Sequence, residues 1–97
     1  MMKNFIILTK WKNKPTQEIV QNHIAFLDGL NQKGQYILAG PYGDGVDNEA
    51  GVFIFKAESK EDAESILNTD PFITEGCQEF EIRQLMIANP EKGYKPE

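Results

Sequence analysis

The sequence predicts an α+β domain in which a four-stranded antiparallel sheet carries two helices on one face. Three observations lead there. Four short stretches have the apolar pattern of strands and two longer ones recur at spacings of three and four, in the order βαββαβ. Glycine and proline mark most of the junctions between them. A chain of 97 residues is long enough for one domain, and right-handed crossovers then bring both helices to the same face, a ferredoxin-like arrangement.

The first strand runs from Lys3 to Trp11. Phe5 and Ile7 fall on one of its faces, Ile6 and Leu8 on the other, and a strand apolar on both sides is covered on both sides. Lys12-Asn13-Lys14 is a polar connection, and Pro15 suits the first turn of a helix. Ile19, Val20, His23, Ile24, Phe26, Leu27 and Leu30 form a helical stripe that stops at Gly34, with Lys33 in the last turn. Gln35 to Ala39 is the second strand, closed by Gly40-Pro41, and Tyr42 to Glu49 is turn-rich.

The third strand, Gly51 to Ala57, is nearly continuously apolar. Ser59, with Asp62 three residues on, caps a second helix whose inward face is Ala63, Ile66 and Leu67. The proline ring of Asp70-Pro71 forces Asp70 into an extended conformation, so that helix must end before it. After a break at Gly76, a fourth strand spans Gln78 to Ala88, with Phe80 and Ile82 on one face and Glu79, Glu81 and Arg83 on the other. Residues 1–88 are thus one domain, and 89–97, polar with two prolines, are expected to form a flexible C-terminal tail.

Composition narrows the function classes. Fifteen acidic against ten basic residues give a net charge of −5, which disfavours nucleic-acid and anionic-membrane surfaces. The single cysteine, Cys77, cannot form an intramolecular disulfide, and Phe5-Ile6-Ile7-Leu8 is too short for a membrane span or a signal-peptide core. A cytoplasmic protein is expected. Asp44, Asp47 and Glu49 do not match a calcium loop in spacing or ligand count, so no metal site is expected. Because the first and third strands are apolar on the face the helices cannot reach, a homodimer joined sheet to sheet is expected.

Two residues have the chemistry for catalysis. His23 is the only histidine, and an imidazole exchanges protons near neutral pH. Its simpler reading is a core histidine satisfied by a backbone carbonyl. Asp70 is a good N-cap for a short turn over residues 71–76, which needs no function. The two readings of Asp70 are compatible if one oxygen caps the turn while the other orients the imidazole. If both helices start at one edge of the sheet, the two residues are offset by about three residues, roughly 4–5 Å along the helix axes, within side-chain reach. Gly40, Pro41 and Tyr42 are assigned to a pocket wall and, with Phe72, to substrate binding; the simpler role of Gly40-Pro41 is to end a strand. Lys10, Lys12 and Lys14 form a basic cluster suited to an anionic substrate, although a solvated loop is the simpler reading.

The segments His23-Ile24-Ala25-Phe26-Leu27, Ala39-Gly40-Pro41, Gly51-Val52-Phe53-Ile54 and Asp70-Pro71-Phe72 followed by Gly76 together resemble the YCII-related (YciI-like) domain, from Phe5 to about Leu85. The resemblance implies a dimeric ferredoxin-like α/β barrel and a pocket with a His–Asp pair at His23 and Asp70. The family includes an enzyme that eliminates hydrogen chloride from a chlorinated aromatic diol, which implies proton transfer without a cofactor. Two positions depart from the family pattern: Cys77 replaces a leucine, and Arg83-Gln84-Leu85 replaces Arg-Pro-aromatic. Cys77 therefore reads as a small hydrophobe rather than a nucleophile.

The same element order also builds RNA-recognition motifs, and Gly51-Val52-Phe53-Ile54-Phe55 partly imitates their third strand. The acidic charge and the lack of a basic residue before Gly51 argue against RNA, which leaves Phe53 and Phe55 as expected dimer-interface residues. The leading expectation is a cofactor-independent lyase or isomerase acting on a small organic molecule. The alternative is a non-catalytic dimeric module that binds a small molecule or serves as an accessory domain.

Overall fold

A computed structural model describes residues 1–96. Its sheet consists of β1 (Lys3–Trp11), β2 (Tyr36–Pro41), β3 (Glu49–Ala57) and β4 (Gln78–Leu85), all antiparallel, in the order β2-β3-β1-β4. Helix α1 (Gln17–Gln32) crosses between β1 and β2, α2 (Lys60–Leu67) follows β3, and a single turn, α3 (Pro71–Thr74), leads into β4. This is the α+β, ferredoxin-like arrangement that the sequence predicts.

The core forms between one sheet face and the helices. Phe5 and Ile7 of β1 and Phe53, Phe55 and Ala57 of β3 meet Leu30 of α1 and Ala63 and Leu67 of α2, with Phe80 and Ile82 of β4 packed beside them. Phe53 and Phe55 are therefore core residues, stacked 4.8 Å apart, and not dimer-interface residues as the sequence suggested. In β3 every residue from 52 to 55 is apolar, so alternation alone does not say which pair faces the helices. The register decides it, since Phe5 lies opposite Phe55 and Ile7 opposite Phe53. Both rings are buried, so neither is exposed for a base to stack on.

Local signals place the helix ends. Thr16 caps α1 by accepting a hydrogen bond from Ile19 N at 3.2 Å, so Pro15 stands just outside the helix rather than in its first turn. Lys33 is the C-cap, and Gly34 follows with a φ of 73°, a conformation in which glycine is least strained. Ser59 caps α2 through Asp62 N at 3.0 Å. Ile24 lies on the flank of the α1 stripe and is exposed.

Strand boundaries also moved. Gly40 and Pro41 belong to β2, where an edge position tolerates proline. β4 leaves the sheet at Leu85, before Ala88. Beyond it, Asn89 caps a one-turn 3₁₀ helix (Pro90–Lys92) and Ala88 bridges to Pro96, local structure that the sequence did not suggest. Glu97, the last residue of the expected tail, lies outside the described residues.

Strands β2 and β3 approach unusually closely at Gly51. A methyl group there would overlap the Gly40 carbonyl oxygen and lie 2.9 Å from Pro41 Cα. The Thr9 hydroxyl sits at the irregularity between β1 and β3, accepting from Gly51 N at 3.1 Å and donating to Gly51 O at 3.2 Å. Gly51→Ala is accordingly expected to lose about 1–3 kcal/mol of stability, the usual cost of overpacking, read as a lower midpoint in urea unfolding. Gly40→Ala, whose added methyl meets nothing within 4 Å, should lose clearly less.

Candidate active site

The site begins at the break between α2 and α3. Asp70 has φ −70° and ψ 124°, the extended geometry that the following proline imposes, and Pro71 occupies the first position of α3. Asp70 Oδ1 accepts from Phe72 N at 3.0 Å, capping the turn. Gly76, with a φ of 71°, ends the turn, and Cys77 N donates back to Phe72 O at 2.9 Å. Local sterics thus aim one carboxylate toward α1.

His23 meets it there. Its Nδ1 lies 2.7 Å from Asp70 Oδ1, and the two side chains are 19% and 5% exposed. A carboxylate only accepts, so Nδ1 carries the proton, and in the neutral imidazole Nε2 is left as an acceptor. No described residue hydrogen-bonds to Nε2. One detail departs from the expected division of labour: Oδ1 alone serves both the cap and the imidazole, rather than one oxygen each.

The Phe72 ring lies flat on the imidazole, with centroids 3.8 Å apart and planes 9° from parallel, and Trp11 meets Phe72 edge-on at 5.4 Å. His23 is therefore held by a hydrogen bond in its plane and by a ring against its face. Both restraints come from the three residues Asp70-Pro71-Phe72.

His23, Asp70 and Phe72 line a largely apolar cleft of about 810 Å³ between α1, α3 and the helix-side face of the sheet. That volume lies in the range usual for small-molecule sites, ~300–1,000 Å³. Gly40 and Pro41 line it as well. Tyr42 does not: Pro41 pairs with Gly51 on the helix side, so strand alternation turns Tyr42 to the opposite face, where it borders a smaller hollow with Lys10 and Glu79. Cys77 is buried and does not line the cleft. Sequence reasoning missed Trp11, Thr9 and Gly51. The signal for the first two was the period of β1, which sends residues 5, 7, 9 and 11 to one face. Among the described residues no group of three or more His, Cys, Asp or Glu side chains is arranged to hold a metal ion.

The shared oxygen gives a stability test. Asp70→Ala removes the cap and the imidazole partner together and should lose about 0.5–2 kcal/mol for the cap alone. Asp70→Asn keeps an N-cap acceptor and should stay closer to the parent in chemical unfolding. Equal losses would show that the cap does not hold the turn.

Comparison with known proteins agrees with this architecture. The chain is 31% identical over 83 residues to the uncharacterized protein YjpA of Bacillus subtilis (strain 168), which covers 86% of this chain and 94% of YjpA. It superposes with a TM-score of 0.65 on the 5-chloro-2-hydroxyhydroquinone dehydrochlorinase TftG of Burkholderia phenoliruptrix AC1100, solved in complex with 2,5-dihydroxybenzoquinone. That match has 26% identity and covers 87% of this chain and 94% of TftG. A dimeric protein of unknown function and ferredoxin-like fold from Bacteroides fragilis NCTC 9343 matches at 10% identity and a TM-score of 0.43, covering 87% and 96% of the two chains. The model of the YCII-related domain matches residues 2–86, nearly the whole described chain, and the protein belongs to that family.

Proposed function

We propose that the protein is an enzyme that moves a proton on a small organic molecule, in a lyase or isomerase reaction that needs no cofactor. His23 is the general acid/base and Asp70 its orienting partner; Gly40, Pro41 and Phe72 bound the substrate. The observation that carries this reading is the 2.7 Å contact between His23 Nδ1 and Asp70 Oδ1 on the wall of an apolar cleft. Nδ1 donates to the carboxylate, so Nε2 accepts a proton from the substrate, and Asp70 stabilises the imidazolium that forms. The same Nε2–H then returns the proton to a neighbouring carbon or to a leaving group. Burial of the pair strengthens this electrostatic support relative to water. The dehydrochlorination carried out by TftG is also an elimination, which supports the reaction class but not a shared substrate.

The test is a screen of enolisable carbonyl compounds and substituted phenols, followed by deuterium exchange from solvent and by product formation. With a substrate in hand, His23→Ala should lower kcat/KM by about 10²–10⁴, the usual worth of a general acid/base. Asp70→Asn should lower it too, without the stability loss expected of Asp70→Ala. Full activity in His23→Ala would remove the reading. Ligand binding without turnover across the screen would favour the alternative, a dimeric small-molecule-binding module.

The functional unit is a homodimer joined through the sheet face that the helices leave open. Ile6, Leu8, Val52 and Ile54 lie together there, only half buried, with Leu38 beside them. An apolar stripe of that kind is ordinarily covered. Sedimentation should show a dimer at micromolar concentration, and Ile54→Glu a folded monomer. A monomeric parent protein would refute the assembly.

A further inference from the structure

The mouth of the cleft has a charge pattern that the His23–Asp70 chemistry does not use. Lys12 and Lys14 both line it, on the loop between β1 and α1. That loop is pinned to the α3–β4 junction: Lys12 N and Asn13 N donate to Cys77 O at 2.8 and 3.2 Å, and Asn13 Nδ2 donates to Gly76 O at 2.9 Å. Neither lysine forms an ion pair with a described residue.

A group of acidic side chains lies on the other face of the sheet. Lys10, two residues earlier, stands opposite Glu49 and Glu79 on the other side of the sheet, and these three border the smaller hollow with Glu81. The sequence cluster of three lysines is thus split by the end of β1 at Trp11: Lys10 stays in the strand beside its acidic neighbours, while Lys12 and Lys14 lie on the loop that borders the cleft. Among the described residues, the only carboxylate lining the cleft is that of Asp70, deep in the wall and engaged by His23.

We infer that the cleft takes an organic anion, with its carboxylate or similar group at the mouth near Lys12 and Lys14 and its uncharged body directed toward His23. The negative charge of Asp70 disfavours a second negative charge at depth, which sets the orientation. Ammonium groups act as compact point charges that do not demand one anion geometry. The floor of Ile7, Phe53 and Leu27 and the edge of Trp11 suit an apolar or planar body. This names the substrate class of the proposed active site, and rests on that reading only for which end of the ligand reacts.

Trp11 is the only tryptophan and lines the cleft, so its fluorescence reports occupancy. The full chain is titrated with naphthoate and with its neutral isostere naphthamide at low salt. Naphthoate should bind roughly fivefold tighter, as two exposed charge contacts allow, and the difference should shrink near ~0.5 M salt, where the Debye length falls well below ~10 Å. The Lys12→Gln/Lys14→Gln double variant should lose the preference while its affinity for naphthamide is unchanged, and Lys10→Gln should keep it. Equal binding of acid and amide, no quenching by either at millimolar concentration, a preference that survives the double variant, or an equal loss in Lys10→Gln would each overturn the inference. In His23→Ala the preference should persist. The ligand class thus stands or falls apart from turnover.

Discussion

A carboxylate on a side chain only 5% exposed must be hydrogen-bonded, and Asp70 meets that requirement with a single oxygen that holds two elements in place. Through Phe72 N it fixes the start of α3, and through the imidazole it ties α3 to α1. Removing one partner of such a group leaves the other polar group stranded in the interior, which is costlier than losing the bond itself. The position of His23, the seat of the Phe72 ring and the wall of the cleft all depend on this one acceptor. The proline at 71 makes it reliable, because it fixes the backbone at Asp70 before any tertiary contact forms.

The rest of the domain frames that junction. The core residues of β1, β3, α1 and α2 hold the helices against the sheet. The cleft lies at the end where the helices stop covering it, near the last residues of β1 and the close approach of β2 to Gly51. Helix α2 contributes little to the chemistry directly. Its role is to stop at the right place, with Leu67 buried and Asp70 three residues beyond.

How much of this was legible depended on the range of the forces involved. The Asp-Pro break, the Ser59 cap and the Gly34 stop are local steric and hydrogen-bonding effects, readable from a few neighbouring residues. The closeness of His23 and Asp70 was readable only as an offset between two helices, feasible in length but undetermined in rotation; the family resemblance added the pairing. What failed was non-local. Sequence alone puts Phe53 and Phe55 on the wrong face, because both faces of β3 are apolar and only its register against β1 distinguishes them. Tyr42 was grouped with Gly40 and Pro41 by adjacency, whereas a strand separates neighbours onto opposite sides. Trp11 and Gly51 went unnoticed because their importance comes from partners more than forty residues away in sequence or on an adjacent strand.

The sheet has one face given to the cleft and the other bare, with Ile6, Leu8, Val52 and Ile54 uncovered by any helix. The cleft is lined by helix-side residues such as Ile7, Thr9 and Phe53, which alternate along the strands with those of the bare face. Two copies meeting across that face would therefore carry their clefts on the outer, helix-covered sides. Substitutions that retune ligand choice and substitutions that retune self-association would then fall on alternate residues of the same strands. Such a domain can diversify in chemistry while keeping its quaternary partner, or change its partner while keeping its chemistry.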